Sequence, residues 1–302
     1  MVLVSIVIPT YNRGSFIERA VYSALSQTYP DLEVIVVDDD STDDTPERIA
    51  ALQRVDHRVR YLRHETNRGA QAARNSGIQA AQGSYIAFLD SDNEWLPTKL
   101  ERQMEVFTHA GEEIGAVYCG FRRVSETDGF VADLRPRHRG HIYQVALTEW
   151  IADTSTLVVR REELERAGPF RELIRSNQEW DLCIRLAQHC AFDFVPERLV
   201  LYHMHSLPTI SKDLLRDAYG YLDVVNAHRT EIVQECGRGA LGKHYFMAGQ
   251  RFMIVGRLDL ARQSFLQSLR LAPFSSIALL YLGATFLGNR GYSFLRAIRH
   301  RR

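Results

Sequence analysis

Apolar and polar positions follow two alternating rhythms over the first hundred residues. Val4–Ile8 is an apolar run rich in β-branched residues and interrupted only by Ser5, and Glu33–Val37, Arg58–Leu62 and Tyr85–Leu89 have a similar strand-like character. Between them, Phe16–Leu25, Thr45–Leu52 and the Ala-rich Gly69–Ala81 read as helices. Pro46 sits at the first helical position of the second helix, where its missing amide hydrogen is not needed. The order βαβαβαβ predicts a mostly parallel sheet flanked by helices, an α/β fold. Ligands on such sheets bind outside the carboxyl ends of the strands. Pro9–Asn12, Asp38–Asp43 and Asp90–Asp92 each follow a predicted strand, so they are expected to converge on one crevice.

The pattern is less regular further on. Ala116–Val124 and Ser155–Arg160 read as strands, Gln178–His189 as a helix, and the basic segment Phe130–Gly140 as a mobile loop. From Lys212 the chain is mostly helical, with helices over Leu241–Val255, Asp259–Leu271 and Ser275–Leu287. Ala261, Phe265, Ser268, Leu269 and Pro273 have the spacing of one tetratricopeptide-type hairpin.

With 302 residues, 45% apolar and 25% charged, the chain can build one large domain and a smaller appendage. Its net charge is zero, but the segment 236–302 carries +10 and the remainder −10. That asymmetry points to an anionic surface for the basic end, or to a solvated helix face. The apolar stretch Ile277–Leu287 is too short to span a bilayer and precedes Arg290, Arg296, Arg299, Arg301 and Arg302. Two readings stand: an interfacial helix on anionic lipid, or a helix packed on the α/β domain with a solvated tail. The four cysteines include no C-x-x-C pair, the pattern of free thiols in a reducing compartment. The N-terminus reads as a strand and not a signal peptide. A cytoplasmic protein, peripheral on the inner face of the cell membrane, with no nucleic-acid partner, is the resulting expectation.

The chemistry centres on Asp90-Ser91-Asp92, two carboxylates at the end of a buried strand. Hard divalent cations take oxygen ligands, and Mg²⁺ is usually held by one or two carboxylates together with substrate phosphates. Turn carboxylates with purely local hydrogen bonds are the bland alternative.

Five segments in order resemble family 2 glycosyltransferases of the GT-A fold, over roughly residues 3 to 205. They are Val4–Asn12, Val36–Asp43, Asn67–Gly77, Phe88–Trp95 with its D-x-D triplet, and Gln178–Leu182. The resemblance implies a GT-A, Rossmann-like catalytic domain over 1–210, with a nucleotide-sugar half (1–115) and an acceptor half (116–210). Residues 211–302 form the helical C-terminal region. It implies an inverting transferase that uses a nucleoside diphosphate sugar, with a UDP-sugar first in line, and a glycan or lipid-linked hydroxyl acceptor. Cell-surface polysaccharide or glycan biosynthesis is the implied setting. Pro9, Thr10, Tyr11, Asp38, Asp39, Arg74, Asp90 and Ser91 would bind the nucleotide sugar. Asp92 and Asp90, with His205 as a further contact, would hold Mg²⁺ or Mn²⁺. Glu179 would be the general base, with Asp181 as its alternative; on a helix the two point about 200° apart.

Two departures stand out. The nucleoside loop has Asp40 where the family usually has Gly, at a position suited to positive φ. The base segment reads Gln178-Glu179 where the family usually has Glu-Asp. A nucleotidyltransferase should show a Gly-rich basic loop after the first strand, and a D-x-D phosphatase should have Thr or Val at position 94; neither is present. A catalytically inactive nucleotide-sugar-binding or scaffold protein of the same fold remains the alternative.

Overall fold

The first strand, β1 (Val4–Thr10), is buried at every position, as its mostly apolar run requires. The structure, a computed structural model, describes residues 2–125, 129–206 and 212–287. β1 pairs in parallel with β2 (Leu32–Asp38) and β4 (Tyr85–Phe88), and β2 with β3 (Val59–Arg63). Helices α1 (Gly14–Leu25), α2 (Thr45–Val55) and α3 (Ala70–Ala80) make the connections. The order β3-β2-β1-β4 reverses between β1 and β4, which is the topological switch point of an open α/β sheet.

The sheet then turns mixed. β5 (Glu94–Trp95) and α4 (Lys99–His109) lead to β6 (Ile114–Ser125), β7 (Gly129–Leu134) and α5 (Tyr143–Ala146). β8 (Val158–Arg160), α6 (Arg161–Ala167), α7 (Gln178–Ala187) and β9 (Ala191–Met204) complete this part. β8 is antiparallel to both β4 and β6, while β6 and β9 run parallel. The expected parallel sheet is therefore the β1–β4 block, and an antiparallel β8 joins it to the rest.

Two expectations change. Phe130–Gly140 is not simply a loop, because Gly129–Leu134 pairs with the outer half of β6. The twelve-residue β6 would otherwise leave that edge bare. Ser155–Arg160 splits into a 3₁₀ turn, Thr154–Thr156, followed by β8.

Contacts divide the chain into two compact units. The first comprises Met1–Tyr143, Ile151–Glu172 and Leu182–Ser206. Its core includes Ile6, Ile8, Val34, Val36, Ala87, Leu100 and Phe107. Packing on the sheet is close at Gly77 of α3, where a Cβ would overlap the Val7 side chain. The second comprises Gln144–Trp150, Leu173–Asp181 and Leu207–Arg302. It contains α8 (Leu214–Ala227), α9 (Arg229–Cys236), α10 (Arg238–Ile254), α11 (Leu258–Leu271) and α12 (Ser276–Ala284). Phe252, Met253, Ala261 and Phe265 centre its core, and the bare backbone of Gly249 on α10 admits the Phe265 ring. The arginines from 290 onward lie outside the described residues.

Candidate active site

In the first unit, the loops after β1, β2 and β4 carry the expected clusters. Thr10 ends β1 beside Asp38 at the end of β2. Thr10 is buried, and its hydroxyl has no hydrogen-bond partner among the described residues. Tyr11, one residue on, is exposed. Asn12 bonds across to the β2 loop, its amide donating to Ser41 Oγ and its Oδ1 accepting from Thr42 N.

Asp38 and Asp39 are buried and satisfied by the protein. Asp38 Oδ1 accepts from Ser41 N at 2.9 Å and Oδ2 from the Tyr61 hydroxyl at 2.8 Å. Burial, with help from this carboxylate, raises the Tyr61 pKa and keeps the hydroxyl a donor. Asp39 Oδ1 accepts from Arg68 N at 2.9 Å and Oδ2 from Gly69 N at 2.6 Å. His64 bridges Asp39 Oδ1 and Ser76 Oγ, at 2.7 and 2.8 Å. These bonds tie the β2 loop to the start of α3. Asp40 has φ +68°, the left-handed conformation its position suggested.

Asp90 and Asp92 are held differently. Their side chains keep 28% and 20% of their surface accessible. Arg74, buried on α3, donates from Nη2 to Asp90 Oδ1 at 2.7 Å. Its guanidinium lies over the Phe170 ring at 5.5 Å, and its buried Nε and Nη1 have no hydrogen-bond partner among the described residues. Asp92 Oδ2 meets His205 Nε2 at 3.1 Å, and His205 stacks on Phe16 at 4.5 Å. Arg13 Nε lies 4.0 Å from the same oxygen, and Arg19 donates to the Asp92 carbonyl. Among the described residues, Asp90 Oδ2 and Asp92 Oδ1 make no hydrogen bond, so one oxygen of each carboxylate is uncommitted there.

The first unit thus brings together β-strand ends, a buried arginine and two part-exposed carboxylates at a switch point. A sequence model of the family described as glycosyl transferase family 2 matches residues 5–166. The chain belongs to this family. Among its relatives, TuaG of Bacillus subtilis (strain 168), named for teichuronic acid biosynthesis, is 46% identical over 103 residues. That match covers 34% of this chain and 41% of TuaG. Escherichia coli WfgD, named as a UDP-Glc:alpha-D-GlcNAc-diphosphoundecaprenol beta-1,3-glucosyltransferase, is 44% identical over 104 residues, covering 34% of this chain and 40% of WfgD. The chain thus aligns with less than half the length of either relative. A crystal structure of Staphylococcus aureus TarS 1–349 with UDP-GlcNAc superposes with a TM-score of 0.71 at 18% identity. It covers 93% of this chain and 86% of that one, and establishes a shared GT-A architecture.

The segment Gln178-Glu179-Trp180-Asp181 of this family 2 chain opens α7 and belongs to the second unit. Glu179 is half-buried and accepts from Trp150 Nε1 at 3.2 Å. Asp181 is fully buried, with Oδ1 2.8 Å from His228 Nε2. Trp180 is a core residue that donates to the Ala146 carbonyl and stacks on Tyr221 at 5.2 Å. Sequence reasoning missed Arg13, Tyr61, His64, Phe170 and Ser155. They come from segments whose convergence no spacing announces, although Asp153-Thr154-Ser155 does carry a local turn signature.

Proposed function

We propose that this chain is an inverting glycosyltransferase. It moves a sugar from a nucleoside diphosphate sugar, a UDP-sugar in the first instance, to a hydroxyl of a glycan or lipid-linked acceptor in cell-surface polysaccharide or glycan biosynthesis. The reading is carried by the Arg74–Asp90 pair at the switch point, with Arg74 Nε and Nη1 buried and, among the described residues, unpartnered. Buried polar atoms without partners are uncommon in native folds, and an anionic ligand rich in acceptors suits these donors. The UDP-Glc and diphosphoundecaprenol in WfgD's name support the choice of donor and acceptor class.

Pro9, Thr10 and Tyr11 with the Asp38–Asp39 loop line the nucleoside in this proposal. Arg74 and the Ser91 turn bind toward the diphosphate. The described residues contain no cluster of three or more His, Cys, Asp or Glu placed for a metal. One uncommitted oxygen on each of Asp90 and Asp92 nonetheless fits Mg²⁺ or Mn²⁺ whose shell substrate and water complete, with His205 orienting Asp92. Such a cation, when bound, neutralises charge on the leaving group.

In the reaction, the acceptor oxygen bonds to the anomeric carbon as the bond to the diphosphate oxygen breaks, inverting configuration. Glu179 takes the acceptor proton. Glu179 is preferred to Asp181 because Asp181 is fully buried against His228, whereas Glu179 keeps part of its surface. No helix among the described residues is long and apolar enough to cross a membrane. Exposed Ile277, Leu279 and Leu280 on α12, beside the basic C-terminal sequence, support peripheral contact with an anionic membrane surface.

A thermal-shift series with UDP, GDP and dTDP, with and without Mn²⁺, tests the donor assignment. Saturating the matching nucleotide at a hundredfold its Kd stabilises by about 2.7 kcal/mol and raises Tm. No shift with any of them sinks the proposal. Glu179→Gln should then lower transfer by about 10²–10⁴-fold and leave UDP binding intact. Full transfer by that variant would remove Glu179 as the base. An inactive binding protein would bind UDP and transfer nothing.

A further inference from the structure

The Asp90–Asp92 turn rests on a residue from a distant segment. Ser155 lies in the 3₁₀ turn just before β8, and the antiparallel register of β8 with β4 brings that turn beside the end of β4. Its hydroxyl oxygen accepts from Asp90 N at 3.1 Å and from Asn93 Nδ2 at 3.0 Å. Asn93 N closes the turn onto the Asp90 carbonyl at 3.0 Å. The Ser155 carbonyl accepts from Trp95 Nε1 at 2.8 Å. One residue therefore grips both ends of the triplet's turn and the tryptophan beyond it. Ser155 and Asn93 are both wholly buried, so solvent cannot replace these bonds.

The grip is itself anchored. Asp153 caps the 3₁₀ turn by accepting from Ser155 N at 3.0 Å. Gln103 on α4 donates to the Thr156 carbonyl at 2.9 Å. We infer that Ser155 is a positioning residue for the D-x-D turn. It fixes the backbone from which Asp90 and Asp92 present their free oxygens to a cation–diphosphate, and it touches neither ligand nor reacting atoms. This inference rests on the donor assignment above and adds a residue to it.

The test compares wild type with Ser155→Ala, Ser155→Cys and Ser155→Thr in the full chain. Isothermal titration reads UDP binding in Mn²⁺, and initial rates read KM and kcat. Ser155→Ala removes the shared acceptor and should raise the Kd for UDP in Mn²⁺, and the donor KM, about tenfold. The kcat at saturating donor should change much less. Ser155→Cys, of nearly the same volume but with a weak acceptor, should show the same direction and decides the matter if the alanine variant does not fold. Ser155→Thr keeps the oxygen and should restore binding to within about threefold. A lowered Tm with UDP affinity unchanged in both Ala and Cys variants overturns the inference, leaving Ser155 as packing only. Absence of UDP binding by the wild type would instead overturn the donor assignment, so the two failures are distinct.

Discussion

Two acidic pairs follow strands of the same parallel block, and the protein treats them in opposite ways. Asp38 and Asp39 are buried, and every carboxylate oxygen accepts a hydrogen bond from the protein. Asp90 and Asp92 keep part of their surface, and each leaves one oxygen uncommitted among the described residues. The first pair ties the loop after β2 to Tyr61 of β3 and to the start of α3. The second pair is the one the proposed function completes with a cation and a diphosphate. Residue type and position after a strand were the same signal in both cases; the difference lies in what the surrounding backbone donates.

The largest effect expected from this contrast is on catalysis by Asp92→Asn. In the proposed site this removes a carboxylate that would face the cation, and transfer should fall at least about a hundredfold. Ligand-free Tm should move by under about 2 °C, since a part-exposed side chain is changed. A fall in Tm without a fall in rate would place Asp92 with the structural pair.

The mirror test is Asp39→Asn. An amide there sets its own N–H groups against the amides of Arg68 or Gly69 and should cost about 1–3 kcal/mol of stability. Urea unfolding measures it, and UDP titration well below the lowered Tm should show a smaller loss than Asp92→Asn shows in rate. Unchanged stability would mean that the loop does not depend on this carboxylate.

Much of this division could be read along the chain, and some could not. Strands β1, β2 and β4 were legible because each is a short, mostly apolar run bounded by turn residues, and β3 because Val59, Tyr61 and Leu62 stand among arginines in a short run. The D-x-D triplet was legible because it ends such a run. β9 was missed because Pro196, Glu197 and Arg198 interrupt its pattern. Its register shows why those residues are tolerated: Val195 pairs with Cys119 and Arg198 with Gly120, so Pro196 and Glu197 bulge out of the ladder. The satisfaction of Asp39 by Arg68 and Gly69 was also hidden, since backbone donors carry no sequence signal. The same holds for Ser155, whose role depends on the pairing of β8 with β4.

A smaller effect concerns the ground beneath the open pair. Lys99 is fully buried, with Nζ 3.8 Å from the centre of the Trp95 ring and bonded to Gln103 Oε1 at 2.7 Å. Burial pushes its ammonium down to about 8, against a weaker upward pull from Cys119. Between about 8 and the ordinary 10.5, the unfolded chain holds this proton and the folded chain does not, so stability rises with pH in that window. Cys119, pushed up to about 11 by burial, works the other way above its ordinary 9. The clean readout is thus wild type against Lys99→Met. From pH 8 to pH 10, wild type should gain on the variant by on the order of 2 kcal/mol in urea unfolding. A constant difference would show that Lys99 stays charged in the fold, held by the Trp95 face.

Asp40 sharpens the contrast at its finest scale, because it is an acid of neither kind. It stands in the same loop as Asp39 at φ +68°, where glycine carries no steric penalty. Its carboxylate is 39% exposed and among the described residues reaches only Arg63 Nη2, at 3.7 Å. Asp40→Gly removes the backbone strain and that loose ion pair together, two terms of about 1 kcal/mol or less and of opposite sign. The strain term should win narrowly, because the pair is long and solvated, and Tm should rise by no more than about 2–4 °C. UDP affinity should stay within about twofold if the loop contributes shape alone. A clear loss of UDP affinity with no loss of Tm would instead make Asp40 a ligand contact, and the β2 loop would then hold both kinds of acid at once.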